Sequence, residues 1–147
     1  MSSPIPDPIP APAPYDLLAL MPFAVRLGIK VETAGPDLVT GSLPYLPELC
    51  TAGGVLHGGV FMALADSLGA ICAYLNLPTG ARTATTASST NFLRPVGDGS
   101  ITGAAVPVHV GRTAVVVRVD VTDADFRLVA TTTQTQAVLP GPRERKA

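Results

Sequence analysis

Asp66 is the residue in this sequence whose setting demands a reason. It stands among Leu64, Ala65, Leu68 and Gly69, inside a long apolar run and away from either end of it. An ionised carboxylate in such company loses its water shell, which costs several kcal/mol unless something compensates. Either Ser67, a backbone amide or a buried arginine satisfies it, or it is a base facing a cleft. Just upstream lies Leu56-His57-Gly58-Gly59. Two glycines in the first turn of a helix cost ~1 kcal/mol each relative to alanine, so bare backbone must be needed there. First-turn N–H groups have no acceptor within the helix and sit at the positive end of its dipole. A carbonyl oxygen could reach them where no side chain intervenes, which is the chemistry of an oxyanion site. Taken alone, His57 reads as a histidine at a helix entry. The glycine pair and the carboxylate together suggest a reaction centre.

The elements that must hold these residues follow from pattern. Val60-Phe61-Met62-Ala63-Leu64-Ala65 and Leu68-Gly69-Ala70-Ile71-Cys72-Ala73-Tyr74-Leu75 predict one helix over 57–76, ended by Pro78 and Gly80. It is apolar on all sides, so burial on all sides is expected. After it the period becomes two. Val115, Val117, Val119 and Val121 alternate with Ala114, Val116, Arg118 and Asp120, and extended stretches also run over 82–93, 100–110 and 127–138. Gly97-Asp98-Gly99, Gly111 and Asp123-Ala124-Asp125 mark the turns, so tightly linked neighbours are antiparallel. Two earlier strands, 28–33 and 38–43, flank Gly35-Pro36-Asp37 and precede a loop over 44–56. A short helical segment over 16–21 stops at Pro22. The expected fold is α+β, one long buried helix wrapped by a curved antiparallel sheet. It occupies a single domain, residues 15–140. Before it comes a disordered proline-rich tail over 1–14, and after it a short basic tail over 141–147.

Composition narrows the function. The chain has 147 residues and a formal net charge of −1, which favours neither nucleic acid nor an anionic membrane as partner. Only 14% of its residues are charged, against roughly 25% in an average soluble domain. Surface short of charge suggests burial against copies of the same chain. Cys50 and Cys72 lack metal or redox spacing and read as small apolar residues. His109 has no second ligand near it in sequence, so no metal is expected. No signal peptide or membrane-spanning run is read, and the expected location is cytoplasmic.

Leu56-His57-Gly58-Gly59, Leu64-Ala65-Asp66, Thr90-Asn91-Phe92-Leu93-Arg94-Pro95 and Gly111-Arg112 together resemble the PaaI-like branch of the hotdog-fold acyl-CoA thioesterases. The resemblance covers residues 22–139. It implies a homodimer with continuous sheets, paired into a tetramer, with active sites at the dimer interface. It implies that the Gly58 N–H polarises the thioester carbonyl while His57 shapes the turn. Asp66 would be general base or nucleophile, and Thr85 would help hold the attacking water. Six residues before the histidine the family often carries asparagine, and here Thr51 stands instead; its hydroxyl can donate but reaches less far. Coenzyme A contacts are expected at Gly59, Arg94, Gly111 and Arg112, with Arg82 a looser candidate. No cofactor is implied, since coenzyme A is part of the substrate. An aryl or short- to medium-chain acyl group is implied, with Phe61, Met62, Phe92 and Leu93 as candidate lining. The alternatives are a non-catalytic acyl-CoA binding module and a hydratase or dehydratase. The latter needs a differently spaced histidine motif, which this sequence lacks.

Overall fold

The computed structural model describes residues 14–141. The two expected tails therefore lie, apart from Pro14 and Gly141, outside the described residues. A 3-10 helix, Pro14–Leu20, leads into helix α1, Pro22–Leu27. Pro22 does end the first segment, but it also opens a second helix that the sequence reading missed. Proline suits the first helical position, where its absent N–H would have had no partner. Gly28, expected to begin a strand, instead caps α1 in the left-handed region at φ 85°.

Strands β1 (Lys30–Ala34) and β2 (Val39–Pro44) follow, then helix α2 (Gly58–Tyr74). Four long strands complete the chain: β3 (Arg82–Phe92), β4 (Ser100–Val110), β5 (Ala114–Thr122) and β6 (Leu128–Leu139). They form one antiparallel sheet in the order β1-β2-β4-β5-β6-β3. α2 packs across strands β1 to β6, so the expected helix wrapped by a curved sheet is what the chain forms. Val115, Val117, Val119 and Val121 are fully buried against it, as their alternation requires. Cys72 is also fully buried, and desolvation, followed by the charge of Asp37, pushes its thiol up to about 11. At the β5–β6 turn, the backbone N–H of Arg127, its guanidinium and the N–H of Asp125 hold Asp123 below the usual carboxylate range.

The helix seats on the sheet through glycines. Gly41 of β2 pairs with Gly103 of β4, and Leu68 of α2 drops between them. A Cβ on either would stand 2.7 Å from a Leu68 methyl, and one on Gly41 only 2.6 Å from the Lys30 carbonyl oxygen. Such contacts force packed atoms apart, so Gly103→Ala is expected to cost about 1–3 kcal/mol. A thermal unfolding midpoint unchanged from wild type would show that Leu68 has room to move.

Burial of α2 on all sides does not hold within one protomer. Gly59, Met62, Asp66 and Tyr74 are exposed, with Ala63 and Ala70 half-buried between them. This spacing is one helical stripe. Beside it runs β3, an edge strand whose far side has no partner among the described residues. No charged residue lies between Arg82 and Arg94. Edge strands left to water usually carry lysine, proline or short lengths to block further pairing; β3 has none of these over its eleven residues.

Candidate active site

Asp66 is thus not a carboxylate stranded in the core. It lies on the exposed stripe, and the Thr85 hydroxyl donates to its Oδ1 at 2.8 Å. Thr85 comes from β3, which α2 must contact for the two to meet. A bulge follows it: Thr85 pairs with Gln136 and Ala87 with Thr135, leaving Thr86 without a partner. Odd-numbered side chains face the helix before the bulge and even-numbered ones after it. Thr85 and Ser88 therefore share the inner face. Together with Asp66, Phe23, Gly59, Met62 and Ala63 they line a cleft of about 320 Å³. A carboxylate anchored by one oxygen beside an apolar cleft can accept a proton from a water held there.

The start of α2 is built for a different task. His57 is the N-cap, and its Nδ1 accepts from the Gly59 N–H at 2.9 Å. That bond makes Nδ1 the unprotonated nitrogen and places the ring hydrogen on Nε2. The His57 N–H itself donates to the Leu49 carbonyl at 2.9 Å. Among the described residues no acceptor meets the Gly58 N–H. It opens on a second cleft of about 310 Å³, lined by Leu56, Phe61, Phe92, Leu93, Arg94 and Pro95. A Cβ at Gly58 would stand 3.2 Å from the Phe92 ring, so the bare backbone keeps that approach open. Phe92 in turn rests edge-on against Phe61, with ring centroids 6.1 Å apart.

A helix N-terminal N–H without an acceptor suits a developing oxyanion, and a carboxylate held by a hydroxyl suits the activation of water, the two tasks of ester and thioester hydrolysis. Comparison with known proteins points the same way. Residues 53–130 match the thioesterase superfamily. The chain belongs to that superfamily. It is 31% identical to the proofreading thioesterase EntH of Cronobacter turicensis, over 78% of this chain and 83% of that one. It is 27% identical to the 1,4-dihydroxy-2-naphthoyl-CoA hydrolase of Escherichia coli, over 77% and 83%. The crystal structure of the Haemophilus influenzae thioesterase HI1161 superposes with a TM-score of 0.78 at 30% identity, covering 85% of this chain and 87% of that one. The fold is the hotdog fold, and the protein is a thioester hydrolase.

The other expected site residues of this thioesterase are spread more widely. Thr51 accepts from the Gly53 N–H at 3.4 Å within its own exposed loop, and it lines neither cleft. Arg94 borders the Gly58 cleft and donates from Nη1 to the Leu128 carbonyl. Arg112 sits in the β4–β5 turn, whose Thr113 carbonyl accepts from Val138. Arg94 also bonds by its N–H to Val129, so the two arginines flank opposite ends of β6. Nine residues of strand at ~3.3 Å each part them by roughly 30 Å. Arg82, paired with Leu139, falls at the Arg112 end. Gly111 lies in the same turn, where a Cβ would stand 3.0 Å from the Ala114 carbonyl oxygen and against the movable His109 ring.

Two residues of the site escape the sequence reading. Phe23, on the missed helix α1, walls the Asp66 cleft and also a neighbouring one that reaches His57. Gln136, fully buried, donates to the Thr85 hydroxyl at 2.7 Å. The polar run Thr131-Thr132-Thr133-Gln134-Thr135-Gln136 contains that signal, because a strand packed on an apolar helix has no evident use for two inward amides.

Proposed function

We propose that the protein hydrolyses an acyl-CoA with an aryl or short- to medium-chain acyl group, releasing coenzyme A and a carboxylic acid. The observation that carries this reading is the pairing of Thr85 with Asp66 at the edge of an apolar cleft. In the proposed reaction Asp66 takes a proton from water as its oxygen attacks the thioester carbon. The oxyanion so formed accepts a hydrogen bond from the Gly58 N–H. The C–S bond then breaks, and the departing thiolate recovers the proton from Asp66. His57 holds the turn that presents Gly58, and Thr85 anchors the carboxylate. Thr51 has no part in this scheme within one protomer.

The proposed working unit is a homodimer joined along β3. Gly58 and Asp66 open on separate clefts in one protomer, and about 12 Å of helix separates them at ~1.5 Å per residue. Two protomers paired antiparallel through β3 would continue the sheet and cover the exposed α2 stripe. They would also set the Gly58 end of one helix near Asp66 of the other. The same pairing carries Arg82 and Arg112 of one copy toward the Arg94 end of its neighbour, where cations from both could hold the nucleotide phosphates. Pairing into a tetramer, a cytoplasmic location and the absence of any cofactor complete the proposal; no helix among the described residues is long and apolar enough to cross a membrane.

The test is a panel of acyl-CoA substrates, with released coenzyme A trapped by a thiol-reactive dye. Benzoyl-CoA and hexanoyl-CoA should yield stoichiometric free thiol over many turnovers. Tight binding without thiol release would identify a binding module instead, and conversion of an added 2-hexenoyl-CoA to its 3-hydroxy product with no free thiol would identify a hydratase.

A further inference from the structure

We propose that Gln136 is a positioning residue that fixes the direction of the Thr85–Asp66 hydrogen bond; this rests on reading Asp66 as the base. Three side chains lead inward from the carboxylate in a single file. The Thr85 hydroxyl reaches Asp66 Oδ1 at 2.8 Å, Gln136 Nε2 reaches Thr85 Oγ1 at 2.7 Å, and Gln136 Oε1 faces the Thr83 hydroxyl at 3.2 Å. Thr83 shares its hydrogen with the Ala137 carbonyl at 3.0 Å.

Valence dictates the order. An ionised carboxylate only accepts, so the single hydrogen of Thr85 must point at Asp66. Whatever meets the Thr85 oxygen from the other side must then be a donor. Gln136 supplies one through its NH₂ and presents its carbonyl oxygen to Thr83, which donates. The reverse setting of the amide would put two acceptors against each other or pull the Thr85 hydrogen away from Asp66. The amide is 0% exposed, so water does not compete for either end. With Oδ1 committed to Thr85, Oδ2 is the oxygen left for the attacking water. Gln136 touches neither substrate nor water in this scheme; it works by removing the other settings of the Thr85 hydroxyl.

The experiment is a double-mutant cycle on the full-length protein, with benzoyl-CoA and hexanoyl-CoA as probes and Asp66→Asn run in parallel. Gln136→Met keeps the side-chain length but cannot donate. It should lower kcat about tenfold, the scale of one lost hydrogen bond, with KM unchanged. In a Thr85→Val background the same substitution should add nothing, because its only route of action is gone. Wild-type kcat in Gln136→Met, or losses that multiply in the double variant, overturn the proposal. An active Asp66→Asn overturns the reading of Asp66 itself, whatever Gln136 does. Should Gln136→Met not fold, Gln136→Glu decides. Its carboxyl donates to Thr85 when protonated, and when ionised it draws the Thr85 hydrogen from Asp66. Activity should then fall on the alkaline side, where wild type stays level; profiles of the same shape overturn the proposal.

Discussion

Asp66→Asn is expected to lower kcat for acyl-CoA hydrolysis by about 10²–10⁴, the usual worth of a positioned base. The amide has the same shape, and its oxygen can still accept from Thr85, so the cleft keeps its geometry. What it loses is the ability to take a proton from water. Asp66 lies on the α2 stripe rather than in the protomer core, and the amide keeps the bond to Thr85, so thermal stability should not fall. KM should change little, since the carboxylate acts on water rather than on the acyl group. Stopped-flow or steady-state thiol release, alongside an unfolding curve, checks all three. A folded Asp66→Asn protein with wild-type kcat/KM would sink the proposed mechanism.

A second large effect is expected on mixing two inactive proteins. Asp66→Ala lacks the base, and Gly58→Val blocks the N–H. A Cβ at that position would stand 3.2 Å from Phe92, but Phe92 is half exposed and can swing away without disturbing the core. In a shared-site dimer each centre takes Gly58 from one copy and Asp66 from the other. A mixed dimer then has one centre with both lesions and one with neither. Random reassortment makes half the dimers mixed, so co-refolding should restore about a quarter of wild-type activity. Each variant alone should stay near background. No recovery, with mixed dimers demonstrated by native mass spectrometry, would mean that each protomer hydrolyses by itself.

Much of this was legible in the residues. The apolar run 57–76 and the valine alternation after Thr113 defined the helix and the long strands, because both periods are set by burial against one neighbour. The Gly58–Asp66 relation could be read for the same reason, since helical spacing is rigid. The exposure of Asp66 was not legible. Gly59, Met62, Ala63 and Ala70 are as apolar as any core stripe, and composition alone cannot say whether the chain's own sheet or something else covers them. Gln136 was hidden by register. Ser88 and Thr90 share the inner face with Thr83 and Thr85 only because Thr86 is a bulge, and no alternation in a run of threonines and serines announces where the parity changes. Helix α1 is not announced by the sequence, because Pro22 marks a helix end and a helix start equally well.

The notch formed by Gly41 and Gly103 does more than admit a methyl group. Leu68 follows Asp66 by two residues, so at ~100° per residue the two side chains leave the helix roughly 200° apart. Seating Leu68 in the notch therefore sets the rotation of the whole rod, as an index pin sets a dial, and turns Asp66 toward Thr85. Depth is set along with angle. A carbon added at either glycine would lift the rod off the sheet, and a displacement of about 1 Å at a reacting group can cost ~10² in rate. Thermal robustness and catalytic aim thus share one mechanical adjustment in this protein, and damage to the notch should dull the enzyme well below its melting temperature.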